Sequence, residues 1–144
     1  MQDIETVFRA PTVPELSSQQ RLMLWGIRHW VRATLSGVDP SQGLEAAFQR
    51  FGVQNGAARI GLLMAAAVSV WPEPFRVAPP CCRQPVTTDE HTVLRVLALA
   101  GRGDLIGVHE ELRDLLPTAA CEHLFAAGQR AALAFLHADM GGGD

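Results

Sequence analysis

The side chains in this sequence that are best suited to bind a metal ion are three cysteines and two histidines. Cysteine thiolate and histidine imidazole are the ligands that Zn²⁺ takes in tetrahedral sites. Two of the cysteines are adjacent in a proline-rich stretch, and a Cys-x-His pair follows further along the chain. The five candidate metal ligands are Cys81, Cys82, His91, Cys121 and His123. One hypothesis is therefore a zinc-binding or thiol-based redox-sensing protein.

The alternative is that the cysteines only pack in the protein interior. The spacing is not Cys-x-x-Cys, and adjacent side chains of an extended chain point to opposite sides, so Cys81 and Cys82 would not easily bind one ion. Free cysteine is among the most buried residue types. Packing is the favoured interpretation, and we expect no cofactor, with zinc as the alternative.

A second set of side chains suited to binding lies on the expected outer face of the first predicted helix. Arginines and a tryptophan recur there at helical spacing, with His29 beside them, and the set is Arg21, Trp25, Arg28 and Arg32. Arginine beside an exposed tryptophan is suited to bind an anion or the acidic surface of a protein partner. The other interpretation is a solvated face on which arginine stems cover Trp25. A third is that these residues meet the acidic second half of another copy of the chain.

Enzyme signals are few. The sequence contains no G-x-S-x-G, H-E-x-x-H or E-x-x-H motif and no glycine-rich phosphate loop after a strand. All 12 basic residues are arginine, which excludes Schiff-base chemistry and a P-loop lysine. The sequence therefore favours a non-catalytic helical protein-interaction or regulatory module, which acts through a protein partner or through self-association.

Charge argues against nucleic acid as a partner. The net charge is −3, and the helix after the Phe51-Gly52 break offers only Asn55 and Arg59 before it becomes apolar, which is too little for a DNA-recognition helix. The charge is unevenly distributed. Residues 1–86 hold 8 arginines and 6 acidic residues, whereas residues 87–144 hold 4 arginines and 9 acidic residues. Either half is thus able to present its own charge to a partner.

Length and composition indicate one globular domain over residues 1–144. Hydrophobic residues make up 48% of the chain and charged residues 19%, which is unlike a disordered protein. The N-terminus is acidic with no apolar run behind it, so we expect no secretory signal, a cytoplasmic location and no membrane partner. The longest apolar run is too short for a membrane span, which needs about 20 residues. Residues 1–14 and 140–144 are expected to be flexible.

Hydrophobic periodicity and capping residues predict an all-α fold, a compact bundle of about six helices. Capping boxes are expected at Ser17 with Gln20, at Asp39 with Gln42 and at Thr87 with Glu90. Pro and Gly mark the helix ends, and a proline-rich linker over residues 71–87 separates the third helix from the fourth. The third helix is apolar on all sides and is expected to be wholly buried. Leu35 and Leu115 are expected to face inward. The predicted helices span residues 18–35, 39–51, 54–70, 87–100, 104–116 and 118–138.

The order of these helices determines which candidate ligands meet. Short loops make consecutive helices antiparallel, so the fourth and sixth run parallel and their N-termini lie at one end of the bundle. The linker brings its two cysteines to that end, together with His91, Cys121 and His123. Two helix N-termini there favour thiolate over thiol.

Several features are shared with one protein family. They are the apolar, arginine-containing helix over residues 24–32, the Phe51-Gly52 break, and Pro80-Cys81-Cys82 followed by Thr88-Asp89-Glu90. Over residues 18–135 the chain resembles an uncharacterised family of short, all-helical bacterial proteins, a domain of unknown function. The resemblance implies no particular activity. The cysteine run in that family can be longer, whereas here Arg83 follows the second cysteine, which would remove one ligand from a metal site.

Overall fold

The computed structural model describes residues 13–78, 85–136 and 138, and within them the chain forms six α-helices, a short 3-10 turn over Val13–Glu15 and no β-strand. This confirms the predicted all-α bundle. The helices are α1 (Ser18–Leu35), α2 (Ser41–Gln49), α3 (Gly56–Val70), α4 (Thr88–Gly101), α5 (Leu105–Leu112) and α6 (Thr118–Ala134).

Local capping sets where two of the longer helices begin. Ser17 Oγ accepts from the backbone N–H of Gln20 at 3.1 Å, and the Gln20 side chain accepts from the backbone N–H of Ser17 at 3.0 Å. The same reciprocal arrangement joins Thr87 and Glu90 at the start of α4. These capping boxes satisfy N–H groups that have no partner within the helix, and both were predicted.

The second helix departs from its prediction. The sequence places Asp39 at the cap with Gln42 closing a capping box, but α2 begins at Ser41 after Pro40 and has no such box. Asp39 instead lies one residue before the N-cap, Pro40, and its Oδ1 accepts from the backbone N–H of Ser41 at 2.9 Å. An aspartate followed by proline forms this short turn readily, because its carboxylate reaches the backbone two residues on.

Small residues let α4 and α6 pack closely side by side. A Cβ added at Gly128 would lie 3.4 Å from the side chains of Val96 and Ala100, and one added at Gly101 would lie 3.1 Å from Ala132. Contacts therefore advance along both helices in the same direction. The two helices run parallel, as the short loops predict, and α6 also packs along α3.

Phe48 joins the helices at the centre of the core. Its side chain is fully buried and packs edge-on against Phe135 at 5.0 Å and against Trp25 at 6.1 Å between ring centroids. A Cβ at Gly26 would lie only 2.7 Å from the Phe48 ring, and a Cβ at Gly56 would lie 2.9 Å from it. Glycine at both positions therefore allows α1 and α3 to approach this ring.

Three expectations about burial are wrong. The apolar helix α3 is not covered on all sides, since 59% of Leu62 and 41% of Val68 is exposed. Leu35, in the last turn of α1, is 81% exposed, and Leu115 is 36% exposed. The reason is that periodicity shows which residues share a helix face, whereas burial requires another element to cover that face. Within the described residues, no helix has the length and apolar character needed to cross a membrane.

Candidate interaction site on helix α1

The predicted arginine and tryptophan residues of α1 come together along one groove. The groove has a volume of about 320 Å³. We call it the arginine groove; its lining residues are Val13, Arg21, Leu24, Trp25, Arg28, His29 and Arg32. All four predicted residues are among them. They share one face of the continuous helix α1, which is sufficient to bring them to one surface.

Arg28 does not lie on the outer face of α1, and that expectation is wrong. Its side chain is 9% exposed and forms an ion pair with Glu90, whose side chain is fully buried. Arg28 Nε donates to Glu90 Oε2 at 2.8 Å, and Arg28 Nη2 donates to Glu90 Oε1 at 3.0 Å. A planar guanidinium matches a carboxylate in this two-bond geometry. Arg28 therefore contributes a neutralised pair, rather than a free charge, to the base of the groove.

The Glu90 carboxylate is also bonded by the backbone. Its Oε2 accepts from the N–H of Ala78 at 3.0 Å, and its Oε1 accepts from the N–H of Thr87 at 2.9 Å. With Arg28, four donors converge on two oxygens, which offsets the cost of burying the charge. From the sequence, Glu90 is only the closing residue of a capping box, and the pairing with Arg28 was not predicted. The pair joins α1, the linker and α4.

Further hydrogen bonds hold the described part of the linker against α4 and α1. The backbone N–H of Arg76 donates to Asp89 Oδ2 at 2.8 Å, and Thr87 Oγ1 donates to the carbonyl of Arg76 at 2.8 Å. Arg32 Nη2 donates to the carbonyl of Ala78. One wall of the arginine groove is therefore tied to the segment that leads from α3 to α4.

Within the described residues, Arg21 and Arg32 carry the charge of the groove that no carboxylate pairs with. Arg21 donates to the carbonyl of Leu16 at 2.9 Å and to Ser18 Oγ at 3.2 Å. Arg32 Nε is buried and has no hydrogen-bond partner in the described part of the chain. The salt bridges among residues 13–78, 85–136 and 138 involve neither arginine. A guanidinium has five N–H donors, so the exposed Arg21 and the half-buried Arg32 each have donors beyond those used in these bonds.

Trp25 and His29 form the aromatic part of the groove. Their rings stack with centroids 5.1 Å apart and an interplanar angle of 16°. His29 lies against Gly43, where a Cβ would be 2.8 Å from its Nε2. Trp25 is held by His29 and by the edge of Phe48, yet 42% of it is exposed. A fixed, half-exposed indole offers apolar area to a ligand with little loss of side-chain entropy.

The predicted metal ligands are only partly within the described residues. Cys81 and Cys82 lie outside them. His91 on α4 is half-buried, His123 on α6 is exposed, and Cys121 is buried with its Sγ donating to the carbonyl of Leu116 at 3.8 Å. In the described ranges, no group of three or more histidine, cysteine or acidic residues is arranged to hold a metal ion. The zinc hypothesis stays a prediction.

The sequence predicted that helix N-termini favour the thiolate form of cysteine, but the structure favours the neutral thiol at Cys121. Burial raises the pKa of the Cys121 thiol above its ordinary value. Loss of hydration is the largest cause, the charge of Glu122 adds to it, and a backbone hydrogen bond at Cys121 lowers the pKa in part, so the expected preference for thiolate is not found at Cys121. The folded state thus favours the neutral thiol. The associated stability is present below the pKa of the unfolded thiol and is lost as pH rises towards that of the folded one.

We expect Cys121 to react slowly with a disulfide reagent at mildly alkaline pH while the protein is folded. The measurement is the rate of reaction with 5,5′-dithiobis(2-nitrobenzoate) in a Cys81→Ser, Cys82→Ser variant, in which Cys121 is the remaining thiol. The same variant unfolded in urea should react far faster, since its thiol is then hydrated and accessible. Equal rates in the two states would show that Cys121 is neither buried nor shifted in pKa.

The chain matches no protein-family model, and the comparisons with curated proteins and with solved structures return no significant match.

Proposed function

We propose that this protein is a non-catalytic helical interaction module that binds an acidic segment of a protein partner through the arginine groove. One observation carries the proposal. Arg21 and Arg32, which pair with no carboxylate among residues 13–78, 85–136 and 138, lie on either side of the half-exposed Trp25 in a single groove. The groove supplies cationic hydrogen-bond donors and an aromatic surface, which together suit a ligand with both acidic and apolar groups.

The chemistry of these side chains supports binding at this position. Tryptophan and arginine are enriched among the residues that contribute most to protein–protein binding. The chain as a whole has a net charge of −3, so attraction of an acidic ligand requires a local positive site. The buried Arg28–Glu90 pair and the Trp25–His29 stack hold the groove in shape before a partner arrives. Such preorganisation lowers the entropy lost on binding.

The test uses fluorescently labelled polyglutamate as a probe of acidic chain, with binding followed by fluorescence anisotropy. We expect Arg21→Glu to weaken binding by about tenfold or more, because a charged hydrogen-bonded contact contributes roughly 1.5–3 kcal/mol. Arg130→Glu, on the exposed face of α6, is the matched control, since it makes the same change in net charge away from the groove. We expect the control to change binding less than twofold.

Two outcomes would contradict the proposal. Equal losses in Arg21→Glu and Arg130→Glu would show that only net charge matters. Binding of polyglutamate that is unchanged in Arg21→Glu, with circular dichroism showing intact helices, would show that the groove does not bind acidic chain.

A further inference from the structure

The arginine and tryptophan residues of the arginine groove all lie on one helix, so helix geometry gives the spacing of their backbone positions. Arg21 and Arg32 both lie on α1, three turns apart and nearly in line along its face. At 1.5 Å per residue, their Cα atoms are about 16 Å apart. Trp25 lies between them, about 6 Å along the axis from Arg21. This separation of the two backbone positions is much greater than the width of a single carboxylate or phosphate.

The way each arginine is bonded keeps the two charges apart. Arg21 is drawn to the carbonyl of Leu16, towards the N-terminus of α1, whereas Arg32 is drawn to the carbonyl of Ala78 in the linker. Between them, the charge of Arg28 is neutralised by Glu90. The groove therefore has two separate positive ends, with the aromatic surface of Trp25 between them.

An extended peptide is able to place one carboxylate at Arg21 and another at Arg32 only if the two acidic residues have a particular spacing in its sequence. Side chains on one face of an extended chain recur every second residue, and the chain rises about 3.3 Å per residue. Two carboxylates on the same face are then about 13 Å apart at four positions and about 20 Å apart at six. These values bracket the Cα separation of Arg21 and Arg32, about 16 Å. A residue two positions from the first carboxylate lies on the same face, level with Trp25.

We infer that the arginine groove binds an extended acidic peptide segment, with two carboxylates four or six positions apart at Arg21 and Arg32 and an apolar side chain between them on Trp25. This inference rests on the proposed function and specifies the ligand. A second copy of the chain is the competing occupant, since Glu110 and Asp114 in its acidic half are exposed. Other acids of that half are already engaged: Asp89, Glu90 and Asp104 bond to backbone N–H groups, and Glu111 lies 3.6 Å from Arg95.

The test is a series of labelled synthetic peptides with two glutamates and one leucine in a glycine–serine background. The composition is constant, the glutamates are two, four or six positions apart, and binding is measured by fluorescence polarisation on the full chain. We expect the best peptide to be one with a spacing of four or six, bound at least tenfold tighter than the spacing of two, because the latter cannot contact both arginines. Moving the leucine to the end of the peptide should also weaken binding.

Charge reversal provides an independent control in case a variant folds poorly. Two further peptides each have one of the two glutamates changed to lysine. In Arg32→Glu, the preference for wide spacing should disappear, and one of these lysine peptides should regain affinity. In Arg21→Glu, the other lysine peptide should regain affinity. Restored binding requires a folded groove, so a gain of affinity in these paired charge reversals cannot result from misfolding of the variant.

The outcomes separate the ligand inference from the function. Binding that needs Arg21 but is equal at all spacings would overturn this inference and leave the proposed function standing. Loss of groove-dependent polyglutamate binding would overturn both. Concentration-dependent dimerisation that Arg21→Glu abolishes, with no peptide bound at any spacing, would assign the groove to a second copy and overturn the peptide inference.

Discussion

Replacing Arg28 with methionine is expected to lower the free energy of unfolding by about 3–5 kcal/mol, since it leaves the buried Glu90 carboxylate without its ionic partner. Glu90 is fully buried, and Arg28 provides two of its four hydrogen bonds. Methionine keeps the apolar length of the side chain, so the effect isolates the lost charge and hydrogen bonds. For a chain of this size, the melting temperature should fall by about 10 °C or more.

The measurement is urea unfolding followed by circular dichroism, within a double-mutant cycle. Glu90→Leu removes the carboxylate alone, and the double variant Arg28→Met, Glu90→Leu removes both charges. We expect the double variant to be more stable than Arg28→Met alone, because no unpaired charge remains in the interior. Arg130→Met, on the exposed face of α6, should change stability by less than about 0.5 kcal/mol. A loss below about 1 kcal/mol in Arg28→Met would mean that the pair is not buried as described.

Replacing Phe48 with alanine is expected to cost about 3–5 kcal/mol of stability, the range for removing a large buried aromatic side chain. The Phe48 ring is fully buried and packs against Trp25 and Phe135. Because Gly26 and Gly56 also lie against it, truncation opens a cavity that those positions have no side chains to fill. The loss therefore includes both apolar burial and unfilled volume.

Urea unfolding of Phe48→Ala measures this cost, with Phe51→Ala as the matched control. Phe51 is only partly buried, so the same truncation should cost less there. Phe48→Leu should retain much of the stability, because leucine fills part of the volume. Since Phe48 supports Trp25, polyglutamate binding should also weaken in Phe48→Ala under conditions where the protein stays folded. A cost no larger than that of Phe51→Ala would contradict the central role of Phe48.

The arginine groove was largely predictable because its residues lie on one helix. Helical spacing alone places Arg21, Trp25, Arg28 and Arg32 on one face, and capping by Ser17 and Gln20 sets where that helix begins. The extent to which each side chain on this face is buried was not predictable. Arg28 sits beside the apolar stripe of α1, and whether such a residue meets water or protein depends on what packs there.

Glu90, the partner of Arg28, lies 62 positions away along the chain, so the helical spacing of residues did not reveal the pair. The capping box identifies Glu90 through contacts within three residues, but the approach of α1 to the start of α4 depends on how the whole bundle packs. The same limit applies to Leu35 and Leu62. These two apolar residues are exposed because no other described element covers their side of the helix. Periodicity carries no information on that absence of cover.

The sequence by itself therefore determined the helices, most of their starting points, and the set of side chains along the outer edge of α1. Each of these depends on interactions within about one helical turn or on the helical repeat. The tertiary structure alone decided that Arg28 pairs with Glu90, whereas Arg21 and Arg32 pair with no carboxylate in the described part of the chain. Burial and long-range pairing follow from which helices meet, and no local spacing encodes that.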